Sequence, residues 1–242
     1  MQYKVTFKML SPLAIPAGKP YRPLHLDSIL IFSKAQQIGS FDFAPGAPHI
    51  SIPVKQVGEK YKIYKASAMF INRKKSRLRR EAWTSTQSWL DDVSRYTTIQ
   101  RKVHSGMGIY RQKAGYLLLL ETPEIYFYFE GDPYEVARIL EPLKSSGLGV
   151  RVPAGYGMIG TITVTESKND YTLTGPDGYP SRVIPAEEVK QADPRWNKTF
   201  TTYSPPYWQN EIVECYIPPR HQYWPIKSPQ EILLEIKGGK EK

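Results

Sequence analysis

One cysteine, Cys215, is present in 242 residues. That excludes an internal disulfide and any cysteine-built zinc site. Long apolar runs are also missing: leucines 117–120 stop at Glu121, far short of a membrane span. The chain opens as an alternating strand without a signal-peptide pattern, so cytoplasmic residence is expected. Histidine is scarce, and His25, His49, His104 and His221 offer no pair at metal-ligand spacing. No carboxylate cluster suits magnesium, so no cofactor or metal is expected. Acids are nearly absent from one stretch, 70–115, which holds only Glu81, Asp91 and Asp92.

That stretch holds eleven Lys and Arg, for a net +8 of the chain's formal +10, leaving +2 for everything else. They are Arg73, Lys74, Lys75, Arg77, Arg79, Arg80, Arg95, Arg101, Lys102, Arg111 and Lys113. A solvated face mixes its signs; this segment does not, and a polyanion is its natural partner. A merely basic surface helix or an anionic membrane surface is the alternative. Trp83, Trp89, Tyr96 and Tyr110 lie among the cations and could offer flat surfaces to unstacked bases. The two tryptophans are six positions apart. On a helix they would lie on different faces, with one of them in the core.

Residues 2–9 alternate, with Tyr3, Val5, Phe7 and Met9 on one side. A helix is expected over 24–39, with Leu26, Ile29, Leu30 and Ile38 at helical spacing and Gly39 as the stop. A strand is expected at 60–70. EIYFYFE, 124–130, is apolar on both faces and reads as a central strand. Asp132-Pro133-Tyr134-Glu135 then starts a helix through a cap, a first-turn proline and a capping box. Val136, Ile139, Leu140 and Leu143 form its apolar face, and Pro142 helps to end it. A closing strand is expected at 158–165. The order is β-α-β-β-α-β, interrupted by the basic excursion at about 71–115. The fold class is therefore α+β, a ferredoxin-like, RRM-like unit over residues 1–166. Residues 167–242 read as an irregular accessory lobe rich in proline and aromatics, with one strand candidate at 211–217.

GLGVRVPAGYGMIGTI, 147–162, puts Gly147, Gly149, Gly155 and Gly157 into eleven residues. A dinucleotide fingerprint runs strand, glycines, helix; here the order is helix, glycines, strand. A Walker loop ends in Gly-Lys-Ser/Thr, and Gly157-Met158 does not. What remains is a loop of bare amides able to face a phosphate, with Arg151 adding charge and Tyr156 alongside. A close-packed turn with no ligand is the equal alternative.

With this loop between its last helix and last strand, the sequence resembles the RAMP superfamily of CRISPR-associated proteins. LHLDSIL (24–30) and PPYW (205–208) make it most similar to the Cas-five-type subunit of type IV effectors. The resemblance implies a non-catalytic, RNA-binding role in a ribonucleoprotein complex, holding the 5′ handle of the guide RNA. The partners implied are the guide RNA, the first RAMP backbone subunit, a large subunit and target DNA. An insertion between the second and third strands would act as a thumb, which is where 71–115 falls. RNA contact is expected from Arg73, Lys74, Lys75, Arg77, Arg79, Arg80, Arg101, Lys102 and Arg111. In the loop it is expected from Gly147, Gly149, Arg151, Gly155, Tyr156 and Gly157.

Two further classes stay open. His104, with Lys102 and Tyr110, could activate a 2′-hydroxyl as a metal-independent endoribonuclease does; a loop histidine touching RNA or solvent fits equally. Related RAMP proteins process guide RNA in that way. His25, Asp27 and Ser28 are too close in one helical turn to form a hydrogen-bonded triad, and Asp27 suits the helix dipole. Tyr203, Pro205, Pro206, Tyr207, Trp208, Tyr223 and Trp224 could anchor an assembly interface instead, or stitch their own lobe to the sheet.

Overall fold

The computed structural model describes residues 1–15, 23–39, 50–84, 114–207 and 210–225. Its elements are, in order, β1 (Gln2–Met9), β2 (Leu13–Ile15), α1 (Leu26–Ile38), β3 (Gln56–Val57), β4 (Ile63–Tyr64) and β5 (Phe70–Ile71). Then come β6 (Arg77–Thr84), β7 (Ala114–Glu121), β8 (Glu124–Glu130), α2 (Pro133–Leu140), α3 (Leu143–Ser146) and β9 (Ile159–Glu166). β10 (Ile184–Pro185), β11 (Lys198–Thr201), β12 (Val213–Tyr216) and α4 (Arg220–Tyr223) complete the described set. The architecture is mixed α/β, with antiparallel sheets and few helices. None of the described helices is long and apolar enough to cross a membrane.

The largest sheet has four strands in the order β5-β8-β1-β9. Val5 and Phe7 of β1 and Ile125, Phe127 and Phe129 of β8 point into one core and are wholly buried. Leu26, Leu30, Val136, Ile139 and Leu140 of the two longer helices fill the same cluster. The alternation of β1 thus does what a half-buried strand does. On the opposite face, Tyr126 stacks on Phe70 with ring centroids 5.5 Å apart, and Lys4 lies 4.1 Å from the Tyr126 ring.

α1 starts at Leu26, and Gly39 closes it in the left-handed region, φ 68°. Ile38 is 58% exposed, so it lies outside the predicted apolar face. At α2, Asp132 Oδ1 accepts from the amides of Tyr134 and Glu135, at 2.9 and 3.2 Å. Glu135 does not complete the capping box; it pairs forward with Arg138 at 2.7 Å. The helix ends at Leu140, and Leu143 is buried from the separate turn α3, which follows Pro142.

The strand expected at 60–70 is broken into β4 and β5. The break has a physical cause: the Arg182 side chain donates to the carbonyls of Tyr64 and Ala66, so these acceptors face a guanidinium. Arg182 and Asp27 are both wholly buried and pair at 3.1 Å. Tyr207 donates to Asp27 at 3.2 Å and its ring lies 5.1 Å from that of His25. LHLDSIL and the PPY of PPYW therefore pack together around one buried charge pair. Burial holds the Asp27 carboxyl above its ordinary range, against the pull of Arg182.

Beyond residue 166 the chain is more regular than expected. β12 lies inside the predicted strand, but β10 and β11 flank it in a three-stranded sheet. β10 is two residues long and ends in proline, and β11 buries only Thr201. Neither carries a periodic signal. Tyr223 and Trp224 join the main core.

Candidate nucleic-acid interface

β6 and β7 pair over eight residues, from Arg77 opposite Glu121 to Thr84 opposite Ala114. β7 also pairs with β2 on its other edge. The basic stretch thus begins and ends as one ribbon. Trp83 lies on a strand, so the helical spacing argument does not apply to it. Trp89 lies outside the described residues, as do Arg101, Lys102, His104, Tyr110 and Arg111.

Successive side chains of β6 alternate across the ribbon. Arg77, Arg79, Glu81 and Trp83 share one face; Leu78, Arg80 and Ala82 take the other. On the first face Arg79 pairs with Glu81 at 3.0 Å and with Glu121 at 3.1 Å. Arg77 also pairs with Glu121. These two arginines are locally neutralised. On the other face the Arg80 guanidinium lies 3.5 Å from the Tyr116 ring centroid, and Tyr116 is 51% exposed.

The glycine loop closes over the first face. Arg151 lies 4.5 Å from the Trp83 ring centroid. Tyr156 donates to Glu81 at 2.6 Å, which holds its phenol above the ordinary range. Trp83 and Tyr156 both pack on a small apolar cluster of Ala14, Leu117 and Leu119. The Trp83 ring covers Gly115, its cross-strand partner; a Cβ there would sit 2.9 Å from the indole nitrogen.

The four loop glycines do different work. A Cβ on Gly157 would meet the Leu148 carbonyl oxygen at 1.8 Å, and one on Gly149 would meet Leu13 at 2.7 Å. A Cβ on Gly147 would meet Val152 at 2.7 Å, whereas one on Gly155 would meet nothing within 4 Å. All four have positive φ. The amides of Gly147, Leu148, Gly155 and Gly157 donate inside the chain, to Leu143, Gly157, Val152 and Pro12. Those of Gly149, Val150 and Arg151 have no acceptor among the described residues. So the loop is half packing device and half exposed backbone, and only the exposed half could meet a phosphate.

Arg73, Lys74 and Lys75 form a 3-10 turn at the root of the ribbon. Asn72 caps this turn by accepting from the Lys74 amide at 3.2 Å. The sequence reading gave no role at the site to Glu81, Glu121 or Tyr116. RLRREAW does not alternate cleanly, so the cross-strand register that places these residues was hidden.

Fold and site together define a mixed α/β protein that gathers a glycine-rich loop and a basic ribbon into one seam. Residues 2–218 match the model of CRISPR type IV associated protein Csf3, and the chain belongs to that family. Membership makes it a component of a type IV CRISPR effector and implies partner subunits. No curated protein matches the chain.

Proposed function

We propose that the chain is a non-catalytic RNA-binding subunit of the type IV effector, one that holds the 5′ handle of the guide RNA. In this reading residues 1–166 are a ferredoxin-like RAMP unit of the Cas-five type, and 167–242 are an accessory lobe. The order β5-β8-β1-β9, threaded as β-α-β-β-α-β, supports the fold assignment. The neighbours are a RAMP backbone subunit and a large subunit.

One observation carries the RNA reading. The loop at 147–157 and the ribbon, far apart in sequence, meet at Arg151–Trp83 and Tyr156–Glu81. Exposed arginines beside aromatic rings suit single-stranded RNA: cations neutralise phosphates, and rings accept unstacked bases.

Filter binding of a handle-length single-stranded RNA over a salt series tests it. Arg80→Ala with Arg151→Ala should weaken binding about tenfold and flatten the salt slope by about two. Unchanged affinity and slope would show that RNA is held elsewhere.

A further inference from the structure

A cleft of about 650 Å³ lies at the root of the ribbon. Its walls come from three turns: β1 to β2, the 3-10 turn at 73–75, and β7 to β8. The cleft is shallow and open to solvent, a shape that suits one unit of a longer strand rather than an enclosed small molecule. It borders the glycine loop, because Met158 donates to Ser11 Oγ at 2.9 Å and Gly157 to the Pro12 carbonyl at 2.8 Å.

Its chemistry divides in two. Lys74 and Lys75 line one side, both exposed and without a carboxylate partner among the described residues. Glu121 also lines it, but both of its oxygens face Arg77 and Arg79. The unopposed charge is therefore positive. Leu10 and Pro12 supply the other side. Leu10 is 69% exposed and rests against Gly160, where a Cβ would lie 3.0 Å from it. A leucine so placed gains little from folding and offers a bare apolar surface next to two ammonium groups.

A nucleotide matches both halves: an anionic phosphate, and a base whose flat ring face packs on apolar side chains. We infer that this cleft takes one nucleotide of single-stranded RNA, its phosphate at Lys74 and Lys75 and its base against Leu10 and Pro12. The inference rests on the RNA-binding reading and adds a second point of hold, past the end of the glycine loop. It also makes the strand's path definite, running from the Arg151–Trp83 stack down the ribbon to its root.

The test uses the full chain and a roughly 12-nucleotide single-stranded RNA carrying 4-thiouridine, a length typical of such binding sites. Lys74→Ala with Lys75→Ala should weaken binding about tenfold and reduce the salt slope by about two. Leu10→Ala should weaken it about fivefold with the slope unchanged, because apolar contact with the base rather than charge is lost. Cross-links should fall within residues 9–12. The inference is overturned if both variants bind like the parent while Arg151→Ala is weakened; RNA binding then stands and the cleft does not take part. It is also overturned if a glutamate-rich peptide binds the parent and the Lys74→Ala with Lys75→Ala variant loses the peptide but keeps its RNA affinity, which would mark the cleft as a protein-docking site. A parent chain that binds no RNA would overturn both readings.

Discussion

Arg151 holds its guanidinium 4.5 Å from the ring centroid of Trp83, tying a loop to a ribbon sixty-eight positions earlier in the chain. Arg151 has φ 59°, the one positive value outside glycine among the described residues. L-residues avoid this region by about 1–2 kcal/mol. Such a conformation persists where the surroundings over-determine it. Here the stack on Trp83 does so together with the 3-10 turn that starts at Val152, whose Ala154 amide donates to the Arg151 carbonyl at 2.9 Å, and they present a cation at a defined place.

Replacing Arg151 by Gly separates stability from binding. Glycine removes the backbone strain and the stack together, two effects of similar size and opposite sign. Urea unfolding should show a stability within about 1 kcal/mol of the parent. RNA affinity should fall several-fold, and the salt slope by about one.

Gly157→Ala and Gly155→Ala should differ sharply, although both positions have positive φ. At Gly157 the new Cβ would collide with the Leu148 carbonyl oxygen, whose distance would be 1.8 Å; at Gly155 it meets open space. The first should cost about 3 kcal/mol or more and the second about 1 kcal/mol, read from denaturation midpoints.

Arg182→Met should cost about 3–5 kcal/mol, because it leaves the buried Asp27 without its cation. Adding Asp27→Leu should recover much of that loss, since the orphaned charge goes with it. A double-mutant cycle on the two positions measures the coupling directly. Two independent, additive losses would rule out a charge pair that acts as a unit.

Acid should expose His25. Burial first, and the Arg182 charge second, hold its pKa well below the ordinary value of 6.5. The unfolded chain therefore takes up this proton before the folded one does. The stability contributed by neutral His25 is complete above the unfolded value of 6.5 and is lost as pH falls below it toward the depressed folded value. Asp27, raised by burial, works the other way, losing its contribution as pH rises through its folded value. His25→Phe keeps a ring against Tyr207 and removes the titration. Subtracting its melting temperatures from those of the parent should leave a difference that declines on acidification.

Local signals in the sequence were readable and distant ones were not. The alternation of 2–9, the cap at Asp132 and the stop at Gly39 depend on neighbours within a few residues, and each appears in the structure. Asp27 read as a first-turn acid, which it is; its partner lies 155 positions away, beyond any periodicity. The ribbon stayed hidden because its two strands flank residues 85–113, so no short turn announced the pairing. The glycine loop was named from its spacing and its place between helix and strand, and the cations from composition. That Glu81 and Glu121 neutralise Arg77 and Arg79 while Arg80 and Arg151 lie on rings needed the register and the loop's position.

The ribbon is tied to the main sheet by two strand connections. β7 runs on through Thr122 and Pro123 into β8, and β2 follows β1 after Leu10, Ser11 and Pro12. The two inner strands of the main sheet thus continue into the sheet that carries the ribbon. A pull on the ribbon is borne by through-going backbone, like a load on a cantilever whose beams are built into the wall. Whatever takes hold of it therefore pulls on both inner strands of the main sheet at once.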